Sequence, residues 1–390
     1  MAQTNVRRAR PRQRRHLLTL SGDYYDYNLL ASVVLLTCFG LIMLYSTSAY
    51  DAQIEWGSDM YYFKRQAIYS LMGFVVIFIA SIVDYHFYSR YAGYFYVFSN
   101  FLLFITKFIG HEVNGAKRWI KIGPIQFQSA EPAKLAIILF ISVLILKLVR
   151  QMKGLKVPLI VATFGAITFF LTWQFTENMS TALIIMGITC ILIFVAHPKT
   201  RPFLILGCGG LAGAVIGLRI LVSNIGTSDS FRLNRILVWL DPEKYSDNGC
   251  YQVLQGLYAI GSGGLFGKGL GNSTQKIQSI PEAQNDMIFS IICEELGLFG
   301  AVLLTVLFVF LLYRLVFIAQ HAPDLLGSLI VTGIFAHISL QVVLKIAVVL
   351  NFIPTTGVTL PFISYGGTSI LFLMAEMGIA LNVSRQIRMK

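Results

Sequence analysis

The chain has 390 residues, 56% of them hydrophobic and 13% charged, with a formal net charge of +12. Soluble domains carry about 25% charged residues, so a water-soluble fold does not fit. The aromatic share of 13% is too high for a disordered chain. Mean hydropathy is +0.68. The excess of 31 Lys+Arg over 19 Asp+Glu would suggest nucleic acid in a soluble protein. In a chain this apolar it reads as the positive-inside bias plus attraction to anionic lipid headgroups, and no nucleic-acid partner is expected.

The N-terminus holds six arginines before residue 16. It predicts a basic cytoplasmic tail over 1–26, because the apolar run that follows is too long for a cleaved signal. Apolar runs long enough to cross a bilayer fall at about 27–50, 67–83, 91–109, 133–149, 157–175, 179–197, 202–224, 287–318, 325–350 and 362–384. Barrel strands would be shorter and would alternate, so the fold class is an all-α integral membrane protein with about ten transmembrane helices. These form one domain over 27–385, followed by a short tail at 386–390. An even number of spans puts both termini in the cytoplasm. That orientation places 17 basic residues inside and 11 outside. Positive charge on the outer side needs a reason, and an outer cavity built for an anion supplies one.

A long extracytoplasmic loop, 224–285, joins helices 7 and 8. Loops of this length are uncommon unless functional. Its apolar patches at 236–240 and 254–260 predict short helices resting on the membrane surface. The run Gly261-Ser262-Gly263-Gly264-Leu265-Phe266-Gly267-Lys268-Gly269-Leu270-Gly271 is not a Walker A loop, because Gly269 follows Gly267-Lys268 where Ser or Thr is needed. A glycine-rich turn is the plain reading, with a phosphate cradle as the functional one.

The five cysteines show no C-x-x-C pair, and no histidine pair has zinc spacing, so neither a disulfide framework nor a protein-only metal site is visible. Glu131 and Lys134 share a helix face at the start of the fourth span. Asp286 stands at the mouth of the eighth, either as a helix N-cap or as a carboxylate facing an aqueous cavity. Glu294 and Glu295 follow eight and nine residues later, about 12 Å deeper at the helical rise. Lys345 and Glu376 are intramembrane charges, open to a functional or an ion-pair reading. His337 reads as a hydrogen-bonded packing residue. Pro354, Pro361, Gly366 and Gly367 break the outer end of the last span.

Taken together, several motifs resemble a known family. They are Lys64-Arg65-Gln66, Asn114-Gly115-Ala116-x-Arg118-Trp119, Gln128-x-x-Glu131-x-x-Lys134, and Arg232-x-x-Arg235 ahead of Leu240-Asp241-Pro242. Tyr251-Gln252 then leads to Ala259-Ile260-Gly261-Ser262-Gly263-Gly264, followed by Pro281-Glu282-Ala283-x-x-Asp286 and Leu360-Pro361-Phe362-Ile363-Ser364-Tyr365-Gly366-Gly367. In this order they resemble the SEDS proteins (shape, elongation, division, sporulation) of the FtsW, RodA and SpoVE type. The resemblance covers roughly residues 27 to 388. It departs from the usual pattern at Gln284-Asn285, at Gln128-Ser129-Ala130-Glu131 without a proline, and at Glu177-Asn178-Met179-Ser180-Thr181. The Gln284-Asn285-Asp286 form and short tails look closer to the FtsW/SpoVE side.

The resemblance implies a peptidoglycan glycosyltransferase, a hexosyltransferase that polymerises lipid II at the outer leaflet of the bacterial cytoplasmic membrane in division, elongation or sporulation. It implies a class B penicillin-binding protein as transpeptidase partner, among other divisome, elongasome or sporulation proteins. The family's essential aspartate falls on Asp286, the expected general base. Arg65, Lys134, Arg232 and Arg235 are expected at the diphosphate, with Glu131 orienting Lys134, and Lys117, Gln252 and Ser364 elsewhere in the substrate site. A divalent cation, Mg2+ or Mn2+, bridging the diphosphate is chemically reasonable, but no ligand set demands it. A lipid II flippase and a non-catalytic scaffold are the alternatives. The first would show charged groups or broken helices near the midplane, often with internal repeats, and Glu376 fits that loosely; an active-site point mutant that assembles normally yet fails in function would argue against the second.

Overall fold

The structure is a computed structural model. It describes residues 24–113, 116–123, 125–199, 251–276 and 283–388, with 201, 205, 207, 209, 213 and 239. Most of the seventh expected span, and Arg232 and Arg235 with it, lie outside the described residues. The described helices are α1 (Tyr27–Trp56), α2 (Tyr61–Ile82), α3 (Tyr85–Ile109), α4 (Ala130–Leu148), α5 (Lys156–Phe175) and α6 (Met179–Ala196). They continue with α7 (Tyr251–Ser262), α8 (Ile288–His321), α9 (Leu325–Val349) and α10 (Ser369–Arg385). Eight of them, all but α7 and α10, are long and apolar enough to cross a membrane.

Side chains with short polar arms start several of these helices. Asp26, Asn178 and Asp324 each accept a backbone N–H of the first turn, which satisfies a donor that the helix itself leaves open. The last helix is shorter than hydropathy suggests. Residues 362–368 are apolar enough to extend it, but Phe362 and Gly367 take positive φ, and the helix begins only at Ser369.

One face of the bundle gathers the chain ends. The Asp26 N–H donates to Ser384 Oγ at 3.3 Å, joining the start of α1 to the end of α10. Arg314, near the end of α8, holds both oxygens of Asp26, with its shortest bond from Nη2 to Oδ2 at 2.7 Å. His86 sits between Asp84 at 2.8 Å and Asp324 at 2.9 Å, tying the α2–α3 corner to the start of α9. Burial would raise both carboxyls, but the bonds from His86 bring each below the ordinary carboxylate value.

The opposite face carries irregular structure. Between α3 and α4 lies an antiparallel sheet of β1 (His111–Val113), β2 (Ala116–Ile122) and β3 (Ile125–Gln128), in the order β1-β2-β3. Trp119 pairs with Gln128 and Ile122 with Ile125, around a turn at Gly123. Hydropathy does not anticipate this sheet.

α8 contains the sharpest departure from a simple span. Gly297 breaks it with φ 67° and ψ −162°. A break there frees the carbonyls of Glu294 and Glu295 and the N–H groups of Leu298 and Phe299. The glycine-rich run supplies all four partners. Lys268 and Gly269 N–H donate to Glu294 and Glu295 O, both at 2.9 Å, while Leu298 and Phe299 N–H donate to Gly264 and Leu265 O at 2.9 and 3.1 Å. The loop can come this close because Gly263 has no side chain: a Cβ there would overlap the Cys293 carbonyl. The run is therefore a backbone patch on a broken helix, and this role accounts for its glycines without a phosphate.

The break also revises the depth of the paired acids. The straight-helix expectation places Glu294 and Glu295 about 12 Å below Asp286. Instead, Glu295 meets Lys276 at 2.7 Å and Ser46 of α1, while Asp286 meets Lys345 of α9. Ser46 and Lys345 each lie about 30 Å along helices that start on the same face. The stretch from Asp286 to Glu295 thus stays at one level and does not descend. Leu298–His321 alone is long enough to cross, at about 36 Å. α7 follows this level stretch: Gly256 abuts Met287 and Ser290, and Gly263 abuts Cys293. The expected surface helix is present, packed along α8 by its buried Val253, Gly256 and Ala259.

Candidate active site

Asp286 lies in the turn 283–286, just before α8. The N-cap position falls to Met287, which makes no side-chain cap bond, so the N-cap expectation for Asp286 does not hold. Its Oδ1 instead faces Lys345 Nζ at 3.4 Å. The pair is asymmetric: the carboxylate is 36% exposed and the ammonium 0%.

Arg118 of β2 is the second cation in electrostatic reach of Asp286. Burial pushes its guanidinium below the ordinary value, and the nearby Asp286 and Glu177 carboxylates oppose that. Arg118 Nη2 donates to the Glu177 carbonyl at 3.3 Å, and Nη1 lies against Gly357. Sequence reasoning put Lys117 in the site and passed over its neighbour. Lys117 enters β2 through its pairing with Glu112.

The segment 351–368 closes the site from another side. Tyr365 N–H donates to Gln284 O at 3.1 Å, which fastens this segment to the Asp286 turn. Gly367 N–H reaches Gln66 Oε1 at 3.3 Å, and Thr368 Oγ1 donates to the Gln126 carbonyl at 2.9 Å. Ser364 is buried, and its Oγ accepts the Leu360 N–H at 3.0 Å, so it shapes the turn. With Gln66 it lines a cavity of about 10 Å3, room for one water. Arg65 is half-buried beside Tyr61, donating to its hydroxyl at 2.9 Å. Burial raises the Tyr365 phenol above its ordinary value, with the Arg65 guanidinium opposing. Gln252 lies one turn before Gly256, at the end of α7 nearer the Asp286 turn.

Glu131 and Lys134 form the expected i,i+3 pair at 2.9 Å, both buried. Lys134 Nζ also reaches Gln341 Oε1 at 3.4 Å, and Gln341 Nε2 donates to the Thr359 carbonyl at 2.9 Å. Gln341 and Lys345 are one turn apart on α9, so a single helix face serves both Lys134 and Asp286. Sequence reasoning passed over Gln341 because a lone Gln in a span carries no charge signal. Replacing Lys134 with Met strands a buried carboxylate, at a cost of about 3–5 kcal/mol. The thermal unfolding midpoint of the detergent-purified protein is expected to fall, and the double change with Glu131→Gln to recover most of the loss. An unchanged midpoint in the single variant would show that the pair contributes nothing.

Two further buried acids, Glu294 and Glu376, are paired as well. Glu294 takes Lys268 at 2.6 Å together with the hydroxyls of Ser273 and Thr274. His337 Nδ1 meets Glu376 Oε2 at 2.8 Å, so the Glu376 charge is matched inside the bundle. Among the described residues no group of three His, Cys, Asp or Glu comes together to hold a metal. A divalent cation at Asp286 would have to compete with Lys345.

Membrane-crossing helices with a partly open, ion-paired carboxylate and cations on one face define an integral membrane protein with a single-faced polar site. The sequence matches the family described as Cell cycle protein (FtsW/RodA/SpoVE) over residues 27–389, and the chain belongs to that family. It is 37% identical to Stage V sporulation protein E of Bacillus subtilis (strain 168), over 93% of this chain and 98% of that one. It is 32% identical to the probable peptidoglycan glycosyltransferase FtsW of Geobacter sp. (strain M18), with the same coverages of 93% and 98%. Among solved structures, the rod shape determining protein RodA of Thermus thermophilus superposes with a TM-score of 0.67 at 26% identity, covering 94% of this chain and 98% of that one. A chain from the structure reported as "Structural coordination of polymerization and crosslinking by a peptidoglycan synthase complex" superposes at 0.74 and 25% identity, covering 93% and 98%.

Proposed function

We propose that this chain is a peptidoglycan glycosyltransferase that joins lipid II units into glycan strands, with Asp286 as general base. The observation that carries the reading is the Asp286 carboxylate, partly open to solvent and ringed by Lys345, Arg118 and the 351–368 segment. The acceptor's sugar hydroxyl gives its proton to this carboxylate. The hydroxyl oxygen's electron pair forms the new bond to the donor's anomeric carbon. The bond from that carbon to the diphosphate breaks, and its pair leaves on the diphosphate. The base and the cations then serve the two charges that change.

Arg65 and Arg118, both only partly buried, suit the leaving diphosphate through forked hydrogen bonds. Arg232 and Arg235 belong to the same proposal on sequence grounds. Lys134 is already engaged, and substrate reaches it by displacing Gln341, the longer of its two contacts. Gln252, Lys117 and Ser364 complete the proposed surroundings, Ser364 through the turn it holds. An apolar cavity of about 430 Å3 lies between α2, α3, α4 and α10, lined by Val76, Tyr91, Leu135, Leu139 and Ile379 among others. Leu135 directly follows Lys134, so a charged region adjoins an apolar one. That adjacency suits a substrate with a diphosphate head and a polyprenyl tail.

The basic tail and the positive-inside bias support a cytoplasmic location for the face with the chain ends, which sets the site at the outer leaflet of the bacterial plasma membrane. The likeness to a chain of a peptidoglycan synthase complex supports a class B penicillin-binding protein as partner. The test is polymerisation of purified lipid II by the full chain with and without that partner. Glycan polymer is the expected product. Its absence under both conditions, together with lipid II translocation across vesicles, would replace the enzyme with a transporter.

A further inference from the structure

Lys345 is a fully buried charge to which the reaction above gives no role. It is fully buried in α9, and among the described residues Asp286 is the one anion paired with it. Burying an ammonium is costly unless a partner compensates for lost hydration. A chain that needed only to satisfy Lys345 could bury an acid beside it, as it does for Lys134 with Glu131. Here the partner is a carboxylate left 36% exposed at the edge of the site. Asp286 Oδ1 takes the Lys345 contact, and among the described residues Oδ2 has no hydrogen-bond partner.

We propose that Lys345 is a positioning residue for the transfer reaction: its buried ammonium anchors Asp286 by Oδ1 and leaves Oδ2 to take the acceptor's proton. This rests on the reading of Asp286 as base. Among the described residues the charged groups facing Asp286 are Lys345 from α9 and Arg118 from β2, and Arg118 in turn faces Glu177. Arg118 also serves the Glu177 carbonyl and lies against Gly357, so its charge is shared across the site. Among the described residues Lys345 makes one charged contact, to Asp286. After proton transfer a neutral carboxylic acid stands beside a buried cation. That arrangement has lost the ion pair, so the acid releases its proton to water and the base is reset for the next addition.

The sign of the effect follows from the charge. A neighbouring cation favours the ionised carboxylate, so it extends activity toward acid. Removing the cation moves the acid limb of the pH–rate profile upward. The experiment measures lipid II polymerisation against pH at saturating substrate, using the full chain with its transpeptidase partner. The variants are Lys345→Met, Lys345→Gln, Lys345→Arg and Asp286→Asn. Met matches the shape of the lysine stem without a charge, and Gln keeps a donor in case Met fails to fold. The expected result is an acid limb moved upward in the Met and Gln variants and unmoved in the Arg variant. A rate loss with no movement of the limb in either neutral variant would overturn the proposal, since a structural role lowers the rate at every pH alike. An equal shift in the Arg variant would also overturn it, because the charge is then not the cause. Activity in Asp286→Asn would instead remove the base on which the proposal depends, so the two failures are distinguishable.

Discussion

Asp286→Asn is expected to lower the polymerisation rate by about 10²–10⁴-fold, the usual contribution of a positioned general base. The change is nearly isosteric, and the amide keeps an oxygen for the Lys345 ammonium. The pair is open to solvent on the Asp286 side, where 36% of the side chain is exposed. Lys345 is fully buried, so loss of its paired charge lowers stability, offset in part by the retained amide oxygen and by solvent at residue 286. The thermal midpoint should fall by less than the loss of turnover implies, and folded protein should remain for the rate measurement. Binding of substrate should survive, because the proposed diphosphate contacts of Arg65 and Arg118 are untouched. A loss confined to the Michaelis constant, with full turnover at saturation, would move Asp286 from base to binding residue. Full activity would remove it from the chemistry altogether. Asp286→Ala is the harsher control: it leaves Lys345 buried without any oxygen partner, and its stability should fall further than that of the Asn variant.

What could be read from the sequence divides along the range of the forces involved. Hydropathy is local, so the long helices emerge from it, and the apolar run at 179–197 becomes α6 almost to the residue. Motif order carried the family and brought Asp286 forward. The three-stranded sheet was missed although its signal is present: Lys117, Trp119 and Lys121 alternate with Arg118, Ile120 and Ile122, and Gly123 closes a tight turn with φ 60°. A window of about twenty residues averages that period away. Lys345 was visible as a misplaced charge, but its mate lies 59 residues away. Glu131 finds Lys134 within one helical turn, whereas Asp286 finds Lys345 only after α8 and α9 have packed. Gln341 needed the same packing to become a bridge between Lys134 and Thr359.

Gly297 was invisible for a related reason, and it carries the other large expected effect. Within an apolar run a single glycine reads as helix with a small penalty of about 1 kcal/mol. In the structure its φ of 67° and ψ of −162° fall in a region that only glycine occupies readily. A Cβ would lie 2.5 Å from the Leu265 carbonyl oxygen and would also overlap Gly267 N. Gly297→Ala must therefore strain the backbone, at about 1–3 kcal/mol, and push the patching loop away. Each of the four backbone groups that the loop satisfies then risks about 1–3 kcal/mol. The combined cost exceeds what a marginally stable protein tolerates. The expected result is loss of the folded, monodisperse protein from detergent extracts, and of polymerisation with it. Gly261→Ala is the matched comparison from the same glycine-rich run. Gly261 is helical with nothing within 4 Å of a Cβ, so that variant should fold and gain up to about 1 kcal/mol. A phosphate cradle would make the run sensitive throughout, to Gly261 as well as to Gly263 and Gly267, with the folded protein intact. A backbone patch confines the damage to the glycines that touch α8. If Gly297→Ala folds with an unchanged midpoint, the break is not held by the loop, and the level stretch from Asp286 to Glu295 loses its physical cause.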